Sequence, residues 1–410
     1  MPGKVAAIVL AAGLSSRMEG GFKPLLPLGE STLLERAVTL FQRAGVMDVR
    51  VVSGHRSEEL RPVVARSGCQ LVVNPDYLDG MFTSVIAGLA SLKNEVAAFF
   101  VLPVDLALVR PATIERLLVA SHNSNTKVLY PVFMGMRGHP PLIAGCLSAE
   151  IAAWQGKGGL QGALAKYEQD ALEVEVADEL ILRDMDTPDD YSVLQQRVSR
   201  LQVPTDLECQ ALLERVLHVD EKIIRHGVAV ARLATTLGEE LNRVGYPMDL
   251  PLLRAAGLLH DLLRHEPHHA RAGARLLGEL GFEAVGKLVA SHMDLVFNSH
   301  EPITAAAVLF LADKLMQGEK LVSLTERFGP AMQKHASQPE ILAKVHHRFM
   351  TAQTIQQQLE QITGRSLAEI VAQLVAASSC QGSPVKSMRV IVSDRSAQGK
   401  ACLNHTTLLK

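Results

Sequence analysis

The chain has 410 residues, enough for two or three domains that each bury a core. Lys and Arg number 41 against 43 Asp and Glu, a net charge of -2, which excludes the basic excess that sequence-independent nucleic-acid binding requires. Cys69, Cys146, Cys209, Cys380 and Cys402 are scattered without a CxxC pair, which excludes a zinc ribbon or a disulfide framework and suits reduced thiols in a cytoplasmic protein.

From Lys4 to about Tyr191, β-rich runs alternate with amphipathic stretches. Strands are expected at Val5–Leu10, Val49–Ser53, Gln70–Val73, Ala98–Leu102 and Lys127–Pro131, with helices such as Thr32–Ala44 and Thr83–Leu92 between them. The alternation predicts a mainly parallel sheet covered by helices. The N-terminus lacks a secretory cleavage signature. The longest apolar window, Val96–Val109, is broken by Pro103 and Asp105 and is too short to span a bilayer. A cytoplasmic protein with no membrane partner is expected.

After Leu194 the strand-like runs stop, with Gln196–Pro204 as the expected linker. Helical periodicity then marks Leu207–Leu217, Glu221–Asn242, Leu252–Arg264, His269–Leu280, Ala284–Leu295 and Thr304–Glu319, so the second half is read as all helix. Beyond about Ala377 the composition turns to Ser, Gln, Lys and Gly, and disorder is expected there.

Behind the first strand, "LAAGLSSRMEGGFKPLLPLG" (Leu10 to Gly29) sets small residues ahead of a helix, where backbone N–H groups can hold a phosphate. The loop is neither a Walker P-loop nor a dinucleotide fingerprint, since Gly-Lys-Ser/Thr and Gly-x-Gly-x-x-Gly are both missing. Arg17 and Lys23 bring positive charge to it. Asp105 follows an apolar strand, where a bare carboxylate is costly unless it meets a cation or a solvated cleft. Asp186, in "DMDTPDDY", is either a second carboxylate of the same site or a cap for the helix beginning near Pro188.

Leu10, Ala11, Ala12, Gly13, Ser15, Ser16, Arg17, Met18 and Lys23 resemble the signature of the nucleotidyltransferases that act on molybdenum cofactor (MobA-like). The resemblance continues through "NPDYLDGMFTSVIAGL" (74–89), "LPVD" (102–105), "GHPPLI" (138–143) and "DMDTPDDY" (184–191). It implies an α/β three-layer, Rossmann-like nucleotidyltransferase domain over residues 1–195 that transfers a nucleoside monophosphate and releases pyrophosphate. It further implies Arg17, Lys23 and Asp105 as catalytic residues, and a nucleotide held by Leu10, Ala11, Ala12, Gly13, Ser15 and Ser84. Mg2+ would sit on Asp105 and Asp186. Ala12, where guanosine enzymes of the family carry glycine, implies CTP. Gly138 and His139 are either an acceptor-side turn or structural. The sequence departs from the pattern at Glu19, which stands where glycine is usual, at Ala107 in place of a proline, and in "GKGGLQG" (156–162), which lacks an acidic residue.

In the second half, "LLRAAGLLHDLLRH" is apolar on nearly every face and marks a buried helix, in which His260 and Asp261 need partners. His226 shares a helical face with Val230, Leu233 and Leu237, and Asp313 lies in a third apolar helix. Together they form a plausible nitrogen and oxygen shell for a divalent metal. The order His226, His260–Asp261, Asp313 resembles the HD superfamily of metal-dependent phosphohydrolases, implying an all-α HD domain over residues 205–375 followed by a tail, 376–410. The resemblance implies Mn2+, Fe2+, Mg2+ or Zn2+ on His226, His260, Asp261 and Asp313, with His269 and His292 available to a second ion or the substrate. Arg264 stands where many members carry lysine, and His265 and His268 are expected to be exposed.

The combined expectation is a bifunctional enzyme that uses CTP and a molybdopterin-type cofactor, with a molybdenum hydroxylase apo-enzyme as a possible recipient. Two alternatives stay open. One is a transferase for another phosphorylated acceptor whose HD half senses nucleotides; the other is a chaperone that delivers cofactor.

Overall fold

The computed structural model describes residues 3–15, 18, 21–93 and 95–372. Arg17, Ser16, Glu19 and the tail 376–410 lie outside the described residues. The chain divides into two compact units that part between Leu201 and Gln202. Among the described residues, no helix is long and apolar enough to cross a membrane.

The first unit is built on strands β1 (Lys4–Ala11), β2 (Asp48–Ser53), β3 (Gln70–Val73), β4 (Val96–Pro103), β5 (Val128–Phe133), β6 (Leu142–Ala144) and β7 (Leu172–Glu175). They lie in the order β7-β5-β6-β4-β1-β2-β3, parallel throughout except for β6, which runs antiparallel to both its neighbours. The helices are α1 (Leu33–Arg43), α2 (Ser57–Arg66), α3 (Met81–Ala90), α4 (Pro111–His122), α5 (Ser148–Ala152), α6 (Gly159–Leu164) and α7 (Pro188–Val198).

Strand β1 is buried on both faces, as a central parallel strand must be. Ala6, Ile8 and Leu10 pack with Val85 and Leu89 of α3, Ile151 of α5 and Leu164 of α6. The opposite face meets α1, whose Phe41 ring lies 5.5 Å from that of Phe100 in β4. This is the expected three-layer α/β arrangement. Helix α1 starts where it does because Thr32 and Glu35 close a capping box, and its buried residues Leu33, Leu34, Ala37, Val38 and Phe41 follow a helical stripe. Gln196 to Val198, assigned above to the linker, are instead the last residues of α7, which Thr187 and Asp190 cap and Leu194 anchors. Strand order reverses around β1, with β2 on one side and β4 on the other, so their carboxyl ends open a crevice of the kind that binds ligands in α/β sheets.

The second unit contains α8 (Asp206–Gln210), α9 (Glu221–Arg243), α10 (Leu250–Leu259), α11 (His269–Glu279), α12 (Glu283–Ala290), α13 (Ala305–Lys314), α14 (Leu324–Lys334) and α15 (Pro339–Thr363). Three expected helices end early. The one assigned to Leu252–Arg264 stops at Leu259, so His260 and Asp261 stand in a turn at its end rather than in its middle. An apolar run reports burial, not the point where i to i-4 bonding ceases. Here the N–H groups of Leu262, Arg264 and Glu266 bond carbonyls three residues back. Likewise α12 ends at Ala290, ahead of His292. Helix α13 ends at Lys314, and a small hairpin, Met316–Gln317 with Lys320–Leu321, follows in place of more helix. Its turn needs Gly318, whose φ of +60° lies in the left-handed region that favours glycine.

Candidate active and metal sites

A cavity of about 350 Å3 opens at the crevice between the ends of β1 and β4. Leu10, Ala11, Ala12, Gly13, Ser15, Lys23, Ser84, Asp105 and Asp186 all line it. The structure therefore brings together every described residue that the sequence nominated for the first site. Ser15, at φ +54°, accepts a hydrogen bond through Oγ from the Lys23 backbone N–H at 3.0 Å, which ties the two ends of the loop. Lys23 Nζ stands 2.9 Å from Asp186 Oδ1 and 3.6 Å from Asp105 Oδ2. The cap of α7 is supplied by Thr187 and Asp190, so Asp186 is turned to the lysine instead. Ser84 is buried in the first turn of α3, where Asn74 Nδ2 donates to its Oγ at 3.0 Å.

Burial raises the Asp105 carboxyl to about 6; Lys23 opposes that rise, and Asp184 and Asp186 reinforce it. Asp184 is also raised, by burial and by Asp186. Three carboxylates thus share one described lysine, an arrangement that calls for a further cation. The lining also includes Tyr77 and Met81, which sequence reasoning did not single out although both lie in the 74–89 run that carried the resemblance. Gly138 lies outside the cavity lining, and a Cβ there would stand 2.5 Å from the Ile181 carbonyl oxygen.

The second site is a buried cluster assembled from the ends of helices. His226 points inward from α9, His260 and Asp261 from the turn after α10, His269 from the start of α11, His292 from just beyond α12 and Asp313 from α13. All are buried except His269, which is partly exposed. The imidazoles are oriented alike. Nδ1 of His260 donates to Gly257 O at 2.8 Å, that of His292 to Val289 O at 2.7 Å, and that of His226 to Gly318 O at 2.9 Å. Carbonyl oxygens only accept, so each Nδ1 carries the proton and each Nε2 faces the carboxylates. Two of the three acceptors are carbonyls of a helix's last turn, which lack intrahelical partners.

Asp261 joins two groups of donors able to hold a metal ion: His226–His260–Asp261 and Asp261–His269–His292. Its Oδ1 is 3.2 Å from His269 Nε2 and 3.5 Å from His292 Nε2; its Oδ2 is 3.5 Å from His260 Nε2 and 3.9 Å from His226 Nε2. Asp313 Oδ1 lies 3.2 Å from His226 and 3.6 Å from His260, while its Oδ2 accepts from buried Lys314 at 2.5 Å. Nε2 of His260, His269 and His292 and Oδ1 of Asp261 are buried without a hydrogen-bond partner. Two donors each about 2.1 Å from one ion stand roughly 3.0–3.4 Å apart, so these orphaned atoms fit a divalent cation. Burial works against a charged His260, but the carboxylates of Asp261 and Asp313 outweigh it and raise the imidazole to about 10. The reciprocal pull holds both carboxyls below the usual range despite their burial. His265 and His268 are exposed and stand apart from the cluster.

These features define a nucleotidyltransferase unit followed by a helical unit with a His/Asp cluster of the metal-binding type. Residues 7–171 match the MobA-like NTP transferase domain and residues 223–317 match the HD domain, one match in each unit. The molybdenum cofactor cytidylyltransferase of Escherichia coli (strain K12) is 28% identical over 198 residues, which is 48% of this chain and 98% of that protein. The nicotine blue oxidoreductase of Paenarthrobacter nicotinovorans is 30% identical over 193 residues, 45% of this chain and 92% of that protein. Among solved structures, Rv0371c from Mycobacterium tuberculosis H37Rv aligns at 26% identity and a TM-score of 0.43, covering 48% of this chain and 99% of that one.

Proposed function

We propose that the first unit transfers CMP from CTP to the phosphate of a molybdopterin-type cofactor and releases pyrophosphate, and that the second unit hydrolyses a phosphoester. The observation that carries the first reading is the single cavity that gathers the Leu10–Gly13 turn, Lys23, Asp105 and Asp186. In this reading the backbone of the turn holds the triphosphate at the end of β1. Lys23 exchanges its carboxylate partners for phosphate oxygens and steadies the charge that builds as the acceptor oxygen bonds the α-phosphorus and the α–β anhydride bond breaks. Asp105 and Asp186 hold Mg2+, which when bound supplies further charge neutralisation. Asn74 orients the Ser84 hydroxyl toward the nucleotide. Similarity to the cytidylyltransferase over nearly its whole length supports the choice of acceptor. A molybdenum hydroxylase apo-enzyme is the recipient this reading implies for the product.

For the second unit, the unpartnered buried donors carry the reading. Bound there, a divalent ion would lower the pKa of a water to make the nucleophile. The chain's own residues fix the imidazole tautomers and exclude bulk water.

The deciding experiment measures pyrophosphate release from purified protein with Mg2+ and molybdenum cofactor, comparing CTP, GTP and ATP. Release is expected with CTP and should fall by about a hundredfold or more in Asp105→Ala and Lys23→Ala. Equal release with GTP would defeat the cytidine assignment, and no release with any of the three would defeat the transfer to this acceptor.

A further inference from the structure

The two oxygens of Asp261 stand in different surroundings. Oδ1 faces His269 and His292, and none of these three atoms has a hydrogen-bond partner. Oδ2 faces His226 and His260, and there the guanidinium of Arg264 is already paired with it. On that same side His260 Nε2 is also without a hydrogen-bond partner, while Asp313 Oδ2 accepts from Lys314. One donor set is therefore left wholly unsatisfied, while the other is partly neutralised by cations of the protein itself. Buried unpartnered donors and acceptors are costly, which favours a cation on the unsatisfied side. A cation on the other side must first displace a guanidinium.

The two protein cations differ in how freely they can leave. Lys314 is buried, hydrogen-bonded to the His292 carbonyl at 3.1 Å as well as to Asp313, and lies over the Phe310 ring. Arg264 has half its side chain exposed, and Asp261 is its ion-pair partner. A guanidinium fork also matches phosphate oxygens better than it matches one carboxylate oxygen.

We propose that Arg264 is a displaceable stand-in for a second divalent cation. The first ion seats on Asp261, His269 and His292. The second enters beside His226 and His260 only when the guanidinium turns away to an anionic phosphate group, so that substrate binding and completion of the metal pair are one event. The inference rests on the metal-dependent reading of the second unit given above.

The test is Mn2+ titration by calorimetry on the full chain, in an Asp105→Asn background that silences the first unit's carboxylate site. Wild-type Arg264 should give one tight ion and a second at least tenfold weaker. Arg264→Gln should close that gap by about tenfold or more. Inorganic phosphate should do the same with Arg264 present and add nothing in Arg264→Gln. His292→Ala should remove the tight ion and His226→Ala the weak one. Two unchanged dissociation constants in Arg264→Gln, together with no effect of phosphate, overturn the proposal while leaving a metal-binding unit intact. No Mn2+ bound at all overturns the metal-dependent reading itself and the proposal with it.

Discussion

The cleft of the first unit and the cluster of the second both gather charge for phosphate chemistry, and they do so by opposite routes. Lys23, Asp105 and Asp186 sit at strand and loop ends on the rim of a cavity, with side chains 13%, 21% and 44% exposed. These partly buried pairs open onto the cavity, so a ligand can take the place of a partner. The cluster instead buries two carboxylates among histidines, where an unbalanced charge is expensive at all times. A rim site can wait for its substrate to supply countercharge. A buried site has to carry its balance in the fold, as Lys314 and Arg264 do here.

The contrast breaks most visibly at Asp261, the residue both donor sets share. Asp261→Asn should lower metal affinity and phosphoester hydrolysis by about a hundredfold or more. Pyrophosphate release by the first unit should stay within about twofold. Metal analysis and the two assays on one preparation would check this, and a parallel collapse of the transferase would show that the sites do not stand apart.

A smaller effect sharpens the other side. Folded Asp105 has its carboxyl raised to about 6 from the ordinary 3.8, so the folded chain binds that proton more tightly than the unfolded one. Its stabilising contribution is full below about pH 4 and lost as the pH climbs through 6. Measured with a chelator present, Asp105→Asn should therefore stabilise the first unit by about 1–3 kcal/mol at pH 8 and by nothing at pH 4. A variant less stable than the parent at pH 8 would mean that Lys23 depends on Asp105 more than burial penalises it. The smallest effect belongs to His265→Ala. This exposed side chain lies outside the cluster, and its loss should leave metal binding and hydrolysis within about twofold.

Legibility followed the same division. The parallel strands β1 to β5 were readable because alternation and apolar runs report them directly, whereas the four-residue parallel strand β7 was not foreseen; the site residues cluster in short runs just after strands. Strand β6 was missed because three residues between Pro141 and Gly145 are too few to show a period. In the second unit the helical stripe of α9 placed His226 on the buried face. The ends of α10, α12 and α13 were misread for a common reason. Their last turns are closed by bonds to histidine rings or by a glycine turn, and such tertiary partners leave no local periodicity. Helices α14 and α15 were not foreseen at all, and the apolar stripe of α15, Ala352, Ile355 and Leu359, emerges late in a long polar segment.

The hairpin after α13 holds a consequence for how this chain can change. Short turns at a surface ordinarily accept extra residues without harm. Here the turn carbonyl of Gly318 grips His226, and Glu319 pairs with Arg225 at 2.9 Å one position earlier on the same helix. A one-residue insertion in that turn would move the grip, free the imidazole to flip its tautomer, and be felt in the buried cluster. For a designer or for natural variation, that stretch is a calibrated spacer whose length is set from the inside.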